Sequence, residues 1–107
     1  MENERVAFSH GEGRLVARIC GEVDHHTARL LRERIDREAF LVRPRVLVID
    51  LSAVGFMDSS GIALIIGRVE VAAEFGGVVQ ITGATQPVKK LIRLSGIERI
   101  QGLTVSP

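Results

Sequence analysis

The sequence predicts an α/β fold: a mixed, mostly parallel sheet that starts with an antiparallel hairpin and has helices packed on it. Strand-like and helix-like segments alternate along most of the chain, as in parallel sheets connected by helices. The apolar residues are mainly aliphatic, with four Phe and no Trp or Tyr, which suits buried strands. A chain of 107 residues has room for one core, so we expect a single domain over residues 1–107.

The first elements are an antiparallel hairpin and a helix. Strands are predicted over residues 5–9 and 14–21, and the glycines of the intervening Gly11-Glu12-Gly13 supply the positive φ of a tight turn. A helix is predicted over residues 28–40, with Asp24 or Thr27 as its N-cap. Its expected buried face consists of Leu30, Leu31, Ile35 and Ala39.

The middle of the chain should hold the central strand and the second helix. Residues 46–49 read Val-Leu-Val-Ile without alternation, which is typical of a strand buried on both faces. A short loop is expected to lead from this strand to a helix that starts near Asp58 and ends near Phe75. Gly76 and Gly77 provide the helix stop.

The last elements are shorter. Residues 78–82 form a strand-like run, and Pro87 is suited to the first turn of a third helix that ends at Gly96. Residues 100–105 are expected to form a short edge strand.

Composition excludes several classes of function. Fourteen basic and thirteen acidic side chains give a net charge of +1, which does not favour nucleic-acid binding. No apolar stretch reaches the about 18 residues of a membrane span, and the first residues are too polar for a signal peptide. We therefore expect a soluble, cytoplasmic protein with no membrane partner. With one cysteine, and with His25-His26 as the only adjacent histidines, we expect neither a metal nor another cofactor.

The most distinctive segment is residues 50–61, Asp-Leu-Ser-Ala-Val-Gly-Phe-Met-Asp-Ser-Ser-Gly. The simpler interpretation is helix capping, since Asp and Ser side chains accept hydrogen bonds from first-turn amides. The functional interpretation starts from the position of Asp58, Ser59 and Ser60 at the carboxyl end of a parallel strand, where α/β sheets usually bind ligands. A phosphate there would be held by a helix N-terminus and would add about −1.5 to −2 charges to any interface.

Three segments carry a family resemblance: residues 21–28 (GEVDHHTA), 56–62 (FMDSSGI) and 94–97 (LSGI). Together they resemble the anti-sigma factor antagonists of the STAS domain family, and in particular the sporulation-type members from endospore-forming bacteria. The resemblance runs from about residue 5 to residue 101 and implies the fold of a single STAS domain.

The resemblance also implies a partner-switching role in transcription regulation. The unphosphorylated protein would bind an anti-sigma factor that is also a serine kinase, and would thereby release the sigma factor. Phosphorylation of Ser59 would abolish this binding, and a metal-dependent serine phosphatase would restore it. Asp24 matches a position that contacts the kinase, Asp58 would present Ser59, and Ser60 would cap the helix. The implied partner-binding residues are Asp24, Asp58, Ser59, Ser60 and Gly61.

Two other roles are compatible with parts of this sequence. A hydrolase would use Ser59 as a nucleophile, but the segment lacks the Gly-x-Ser-x-Gly pattern and nothing marks a histidine as its base, so we expect no enzyme and no catalytic residue. A STAS regulatory subunit of a stress-response or lipid-transport system keeps the same fold and remains open. The chain shows no exposed heptad or long apolar edge, so a monomer is expected.

Overall fold

The computed structural model describes residues 5–106. Within this range the chain forms five strands, three α-helices and one 3₁₀ turn, in the predicted order. The polar residues 1–4, on which the expectation about a signal peptide rests, lie outside the described residues, as does Pro107. The elements are β1 (Val6–Gly11), β2 (Arg14–Val23), α1 (His25–Val42), β3 (Val46–Met57), α2 (Ser59–Glu74), β4 (Val78–Thr82), α3 (Gln86–Ser95), the 3₁₀ turn Ile97–Arg99 and β5 (Leu103–Val105).

The strands form one sheet in the order β1-β2-β3-β4-β5. β1 and β2 are antiparallel and the other pairs are parallel, which confirms the predicted fold class. β3 lies in the middle, and its residues Leu47, Val48 and Ile49 are buried as predicted. The core is aliphatic, and its largest fully buried side chains include Leu15, Ile19, Leu31, Ile35, Leu51, Ile65, Ile81 and Ile92.

The end of β3 differs from the prediction. The expected loop after residue 49 is a continuation of the strand to Met57, because β2 also extends, to Val23, and keeps pairing with it. The register shifts twice along this pair, between Arg18 and Cys20 and between Gly21 and Glu22, and each shift gives β3 one extra residue. Bulges of this kind bend a strand and re-aim the residues that follow it.

The helix ends follow the predicted signals. α1 ends at Val42, and its C-cap, Arg43, has a left-handed φ of 51° and precedes Pro44. After α2, the Gly76 amide donates to Ala73 and the Gly77 amide to Ala72, at 3.0 and 2.8 Å, in a Schellman arrangement. The predicted buried face of α1 is wrong at one position, since Leu30 is 43% exposed while its neighbours on that face are buried.

None of the helices in residues 5–106 is long and apolar enough to cross a membrane. No group of three or more His, Cys, Asp or Glu side chains within this range is placed to hold a metal ion.

Candidate functional site

The carboxyl ends of β2 and β3 lie side by side, and a helix begins at each of them. Val23 pairs with Met57 in the parallel ladder, and the next amide, that of Asp58, donates to the Val23 carbonyl at 3.1 Å. Asp24 is the N-cap of α1 and Asp58 is the N-cap of α2. The two aspartates predicted from the sequence therefore lie at adjacent helix N-termini, at the carboxyl ends of β2 and β3.

The start of α1 is held by a capping box. The Oδ1 atom of Asp24 accepts from the amides of His26 and Thr27, both at 3.0 Å, and the Asp24 amide donates to the Thr27 hydroxyl oxygen at 2.9 Å. The choice between Asp24 and Thr27 as the cap is thus settled in favour of Asp24. The backbone hydrogen bond from Thr27 is the main cause that lowers the pKa of Asp24 below its ordinary value.

The start of α2 is capped by Asp58, whose Oδ1 accepts from the Ser60 amide at 2.8 Å. The prediction that Ser60 caps this helix is wrong. Asp58 has the extended backbone of a cap, with φ −111° and ψ −166°, whereas Ser60 is already the second helical residue and supplies the amide that is capped.

Ser59 occupies the first helical position of α2 and is exposed. Its hydroxyl forms no hydrogen bond with any other described residue, whereas the amide of neighbouring Ser60 is tied to the cap. The Ser60 hydroxyl is also unbonded among the described residues, so exposure distinguishes the pair: Ser59 is exposed, whereas Ser60 is half-buried.

Gly61 supports the site from beneath. It is buried, and a Cβ at this position would overlap Cγ of Met57 and lie 2.6 Å from its Sδ. Its contribution is close packing between the first turn of α2 and the end of β3, not an exposed surface for a partner.

Comparison with known proteins identifies the family. Residues 5–107 match the STAS domain. The chain belongs to the STAS domain family.

Among STAS relatives, an anti-sigma F factor antagonist of Paenibacillus polymyxa is 33% identical over 98 residues, which is 92% of this chain and 84% of that protein. The crystal structure of an anti-sigma factor antagonist from Mycobacterium paratuberculosis is 29% identical, with a TM-score of 0.79 over 92% of this chain and 83% of that one. The fold also matches unphosphorylated SpoIIAA, with a TM-score of 0.78 at 23% identity over 95% and 88% of the two chains. Phosphorylated SpoIIAA from Bacillus matches with a TM-score of 0.69 at 22% identity, over 95% and 91%.

This STAS domain also has a groove of about 510 Å³ that the sequence did not reveal. The α1–α2 groove runs between the two helices that start at Asp24 and Asp58. Its basic and polar wall consists of His25, Arg29 and Arg32 from α1 and Ser60 and Arg68 from α2. Small residues, Ala28, Ala63 and Gly67, leave the space between the helices open.

Arg68 is the buried charge of the groove. It is 4% exposed and its Nη1 lies 3.0 Å from Oδ1 of Asp36 on α1, although the angles of this ion pair do not meet hydrogen-bond geometry. Burial raises the pKa of Asp36, which Arg68 opposes, and burial lowers the pKa of Arg68. One signal in the sequence points to this residue: Arg68 follows Leu64 and Ile65 by four and three positions, on the apolar face of α2.

Proposed function

We propose that the protein is an anti-sigma factor antagonist in which residues 1–107 act as one STAS domain and Ser59 is the phosphorylation switch. The unphosphorylated form binds an anti-sigma factor serine kinase and releases the sigma factor that the kinase held. The observation that carries this proposal is Ser59 itself, an exposed serine with an unbonded hydroxyl at the first position of α2.

The position of Ser59 suits a kinase substrate better than a nucleophile. No histidine forms a hydrogen bond with Ser59 among residues 5–106, so nothing in this range activates its hydroxyl. A substrate serine needs only access, because the kinase supplies the metal ion, the base and the alignment of ATP. These features support a binding protein without an activity of its own. The family resemblance and the antagonist from Paenibacillus polymyxa support the same function.

We propose that Ser59 is favoured over Ser60 as the acceptor because Ser59 is exposed and Ser60 is half-buried. Asp58 holds the Ser60 amide at 2.8 Å, which fixes the first turn and leaves Ser59 in front of the cap. Asp24 stands at the neighbouring helix start, where we propose that it contacts the kinase. The proposed contact surface is thus Asp24, Asp58, Ser59 and Ser60, with Gly61 packed beneath it.

Phosphorylation acts on this surface through charge and hydration. A phosphoserine adds about −1.5 to −2 charges, which the positive end of the α2 dipole tolerates within the free protein. In a complex the same dianion must lose its hydration against a surface that had fitted a neutral hydroxyl. We propose that this cost turns binding off, and that a metal-dependent serine phosphatase restores the binding form.

The test is mass spectrometry after incubation with the cognate anti-sigma factor kinase and ATP. We expect one phosphate on Ser59 in the wild type and in Ser60→Ala, and none in Ser59→Ala. Ser59→Ala should still bind the kinase, whereas Ser59→Asp should bind more weakly. Phosphate on Ser60 or Thr27 would overturn the assignment, and binding without any phosphate would leave a STAS regulator that is not switched in this way.

A further inference from the structure

We propose that the α1–α2 groove docks an extended acidic segment of the anti-sigma factor partner. The inference rests on the proposed function, because it extends the contact surface around Ser59 along the two helices that begin there. Ser60 belongs to both the first turn of α2 and the wall of the groove, so the two surfaces are continuous.

The shape of the groove fits a peptide backbone. Small residues on both helices, Ala28 on α1 and Ala63 and Gly67 on α2, leave unfilled space between the larger side chains of the groove. From Ser60 to Gly67 the helix rises by about 10 Å, which matches about three residues of extended chain. A Cβ added at Gly67 would meet nothing within 4 Å, so the space beside this glycine is open.

The charge of the groove selects an acidic occupant. Arg29 and Arg32 are exposed on one wall, Arg68 is buried on the other, and Glu70 is the one acidic residue of the lining. Arg29 has only a 4.0 Å contact with Glu33 and its side chain is 79% exposed, so it is available to a carboxylate. Arginines present planar donor pairs that match carboxylate oxygens.

Arg68 adds a buried positive charge to the wall of the groove. Its Nε and Nη1 are buried and form no hydrogen bond with any residue in 5–106, although Asp36 balances part of its charge. Because Nη1 faces Asp36 at 3.0 Å, Arg68 contributes positive potential to the groove, and the exposed Arg29 and Arg32 offer the hydrogen-bond donors.

The charge pattern also gives the docked segment a direction. The Ser59 end carries the carboxylates Asp24 and Asp58, and the arginines follow further along the helices. A partner that fits places a basic group near the aspartates and acidic groups near Arg29 and Arg32. Reversed docking would bring like charges together, so this pattern fixes orientation and discriminates between partners.

The experiment measures the affinity of the unphosphorylated protein for the cognate anti-sigma factor kinase at several salt concentrations. The groove variant is Arg29→Glu/Arg32→Glu. Its matched control is Arg37→Glu/Arg99→Glu, which changes the net charge equally at two exposed sites outside the groove lining. Circular dichroism checks that both variants fold. We expect the groove variant to lose about tenfold or more in affinity at low salt and to depend less on salt, with the control near wild type.

The outcomes separate this inference from the proposed function. If the wild type does not bind the kinase, the proposed function fails and the groove loses its partner with it. If the wild type binds and both variants bind equally well, or both lose equally, the proposed function stands and the groove inference is overturned. The other possible occupant is a small oxyanion, which a titration with inorganic phosphate tests through amide NMR shifts. Shifts of groove residues, together with unchanged kinase affinity in the groove variant, would assign the groove to a small oxyanion. That result would overturn the docking of a segment.

Discussion

At the scale of single residues, three consecutive cap-forming residues take different roles at the start of α2. Asp58, Ser59 and Ser60 are all favoured at helix N-termini, so the sequence located the helix start without deciding which residue caps it. The structure decides through backbone geometry: Asp58 is extended and its carboxylate accepts from the Ser60 amide. Ser59 is exposed and its hydroxyl forms no hydrogen bond within residues 5–106.

The capping assignment predicts unequal effects of two substitutions. Asp58→Ala removes the hydrogen bond to the Ser60 amide and should cost about 1 kcal/mol, or about 4–8 °C in melting temperature. Ser60→Ala should change stability little, since its hydroxyl forms no hydrogen bond within residues 5–106. Thermal unfolding of both variants measures the difference. Equal losses, or a larger loss for Ser60→Ala, would return the cap to Ser60.

The cap of α1 predicts a dependence of stability on acid. The pKa of Asp24 lies below its ordinary value of 3.8, chiefly because the Thr27 amide donates to the folded carboxylate. As the pH falls, Asp24 therefore takes up a proton in the unfolded chain before it does so in the folded protein. Its contribution to stability is complete above pH 3.8 and is lost as the pH falls through the folded-state pKa. Asp24→Asn keeps a side-chain acceptor that does not titrate.

The measurement is the difference in free energy of unfolding between the wild type and Asp24→Asn, from urea titrations at several pH values. The other carboxylates are present in both proteins, so their contributions to the pH dependence largely cancel in this difference. The free energy of unfolding of the wild type should fall relative to that of Asp24→Asn as the pH falls from about 6 to about 2. A difference that stays constant over this range would show that the Asp24 carboxylate gains nothing from its cap hydrogen bonds.

At the scale of elements, α2 contains two glycines with opposite packing. Gly61 is buried against Met57, and a methyl group there would overlap that side chain, so Gly61→Ala should cost about 1–3 kcal/mol. Gly67 has open space around its Cβ position, so Gly67→Ala should stabilise the helix by about 0.5–1 kcal/mol. Chemical unfolding of both variants tests the pair. Stabilisation by Gly61→Ala would mean that Met57 moves freely and does not hold the first turn of α2.

The elements also show how far the sequence could predict this fold. Apolar runs, together with residues typical of helix starts and ends, identified the five strands and three α-helices. The central position of β3 followed from its unbroken Val-Leu-Val-Ile run. The continuation of β3 to Met57 could not be predicted, because its bulges depend on register with β2. The groove could not be predicted for a related reason. Arg29 and Arg68 are far apart in sequence and line the same groove only when α1 packs beside α2.

At the scale of the whole molecule, the proposed switch lies at one edge of the sheet and the core lies elsewhere. Ser59 is exposed, whereas the first buried apolar side chains of α2 are Ile62, Leu64 and Ile65, at 9%, 5% and 0% exposure. A phosphate on Ser59 would thus be stabilised by the helix dipole and repelled by Asp58 without entering the core. The relative SpoIIAA matches this fold in both its unphosphorylated and phosphorylated forms.

We therefore predict that phosphorylation of Ser59 alters binding without altering the fold. The melting temperature should move by less than about 8 °C, since charges at helix ends contribute about 0.3–1 kcal/mol. The radius of gyration from X-ray scattering should be the same for both forms, close to the 12.5 Å of the Cα atoms. Amide NMR shifts should concentrate on the starts of α1 and α2. Expansion of the phosphorylated form, or shifts spread through β1 and β5, would instead require a global conformational change. β1 and β5 are the outer strands of the sheet, whereas a charge on Ser59 acts locally at an exposed helix start.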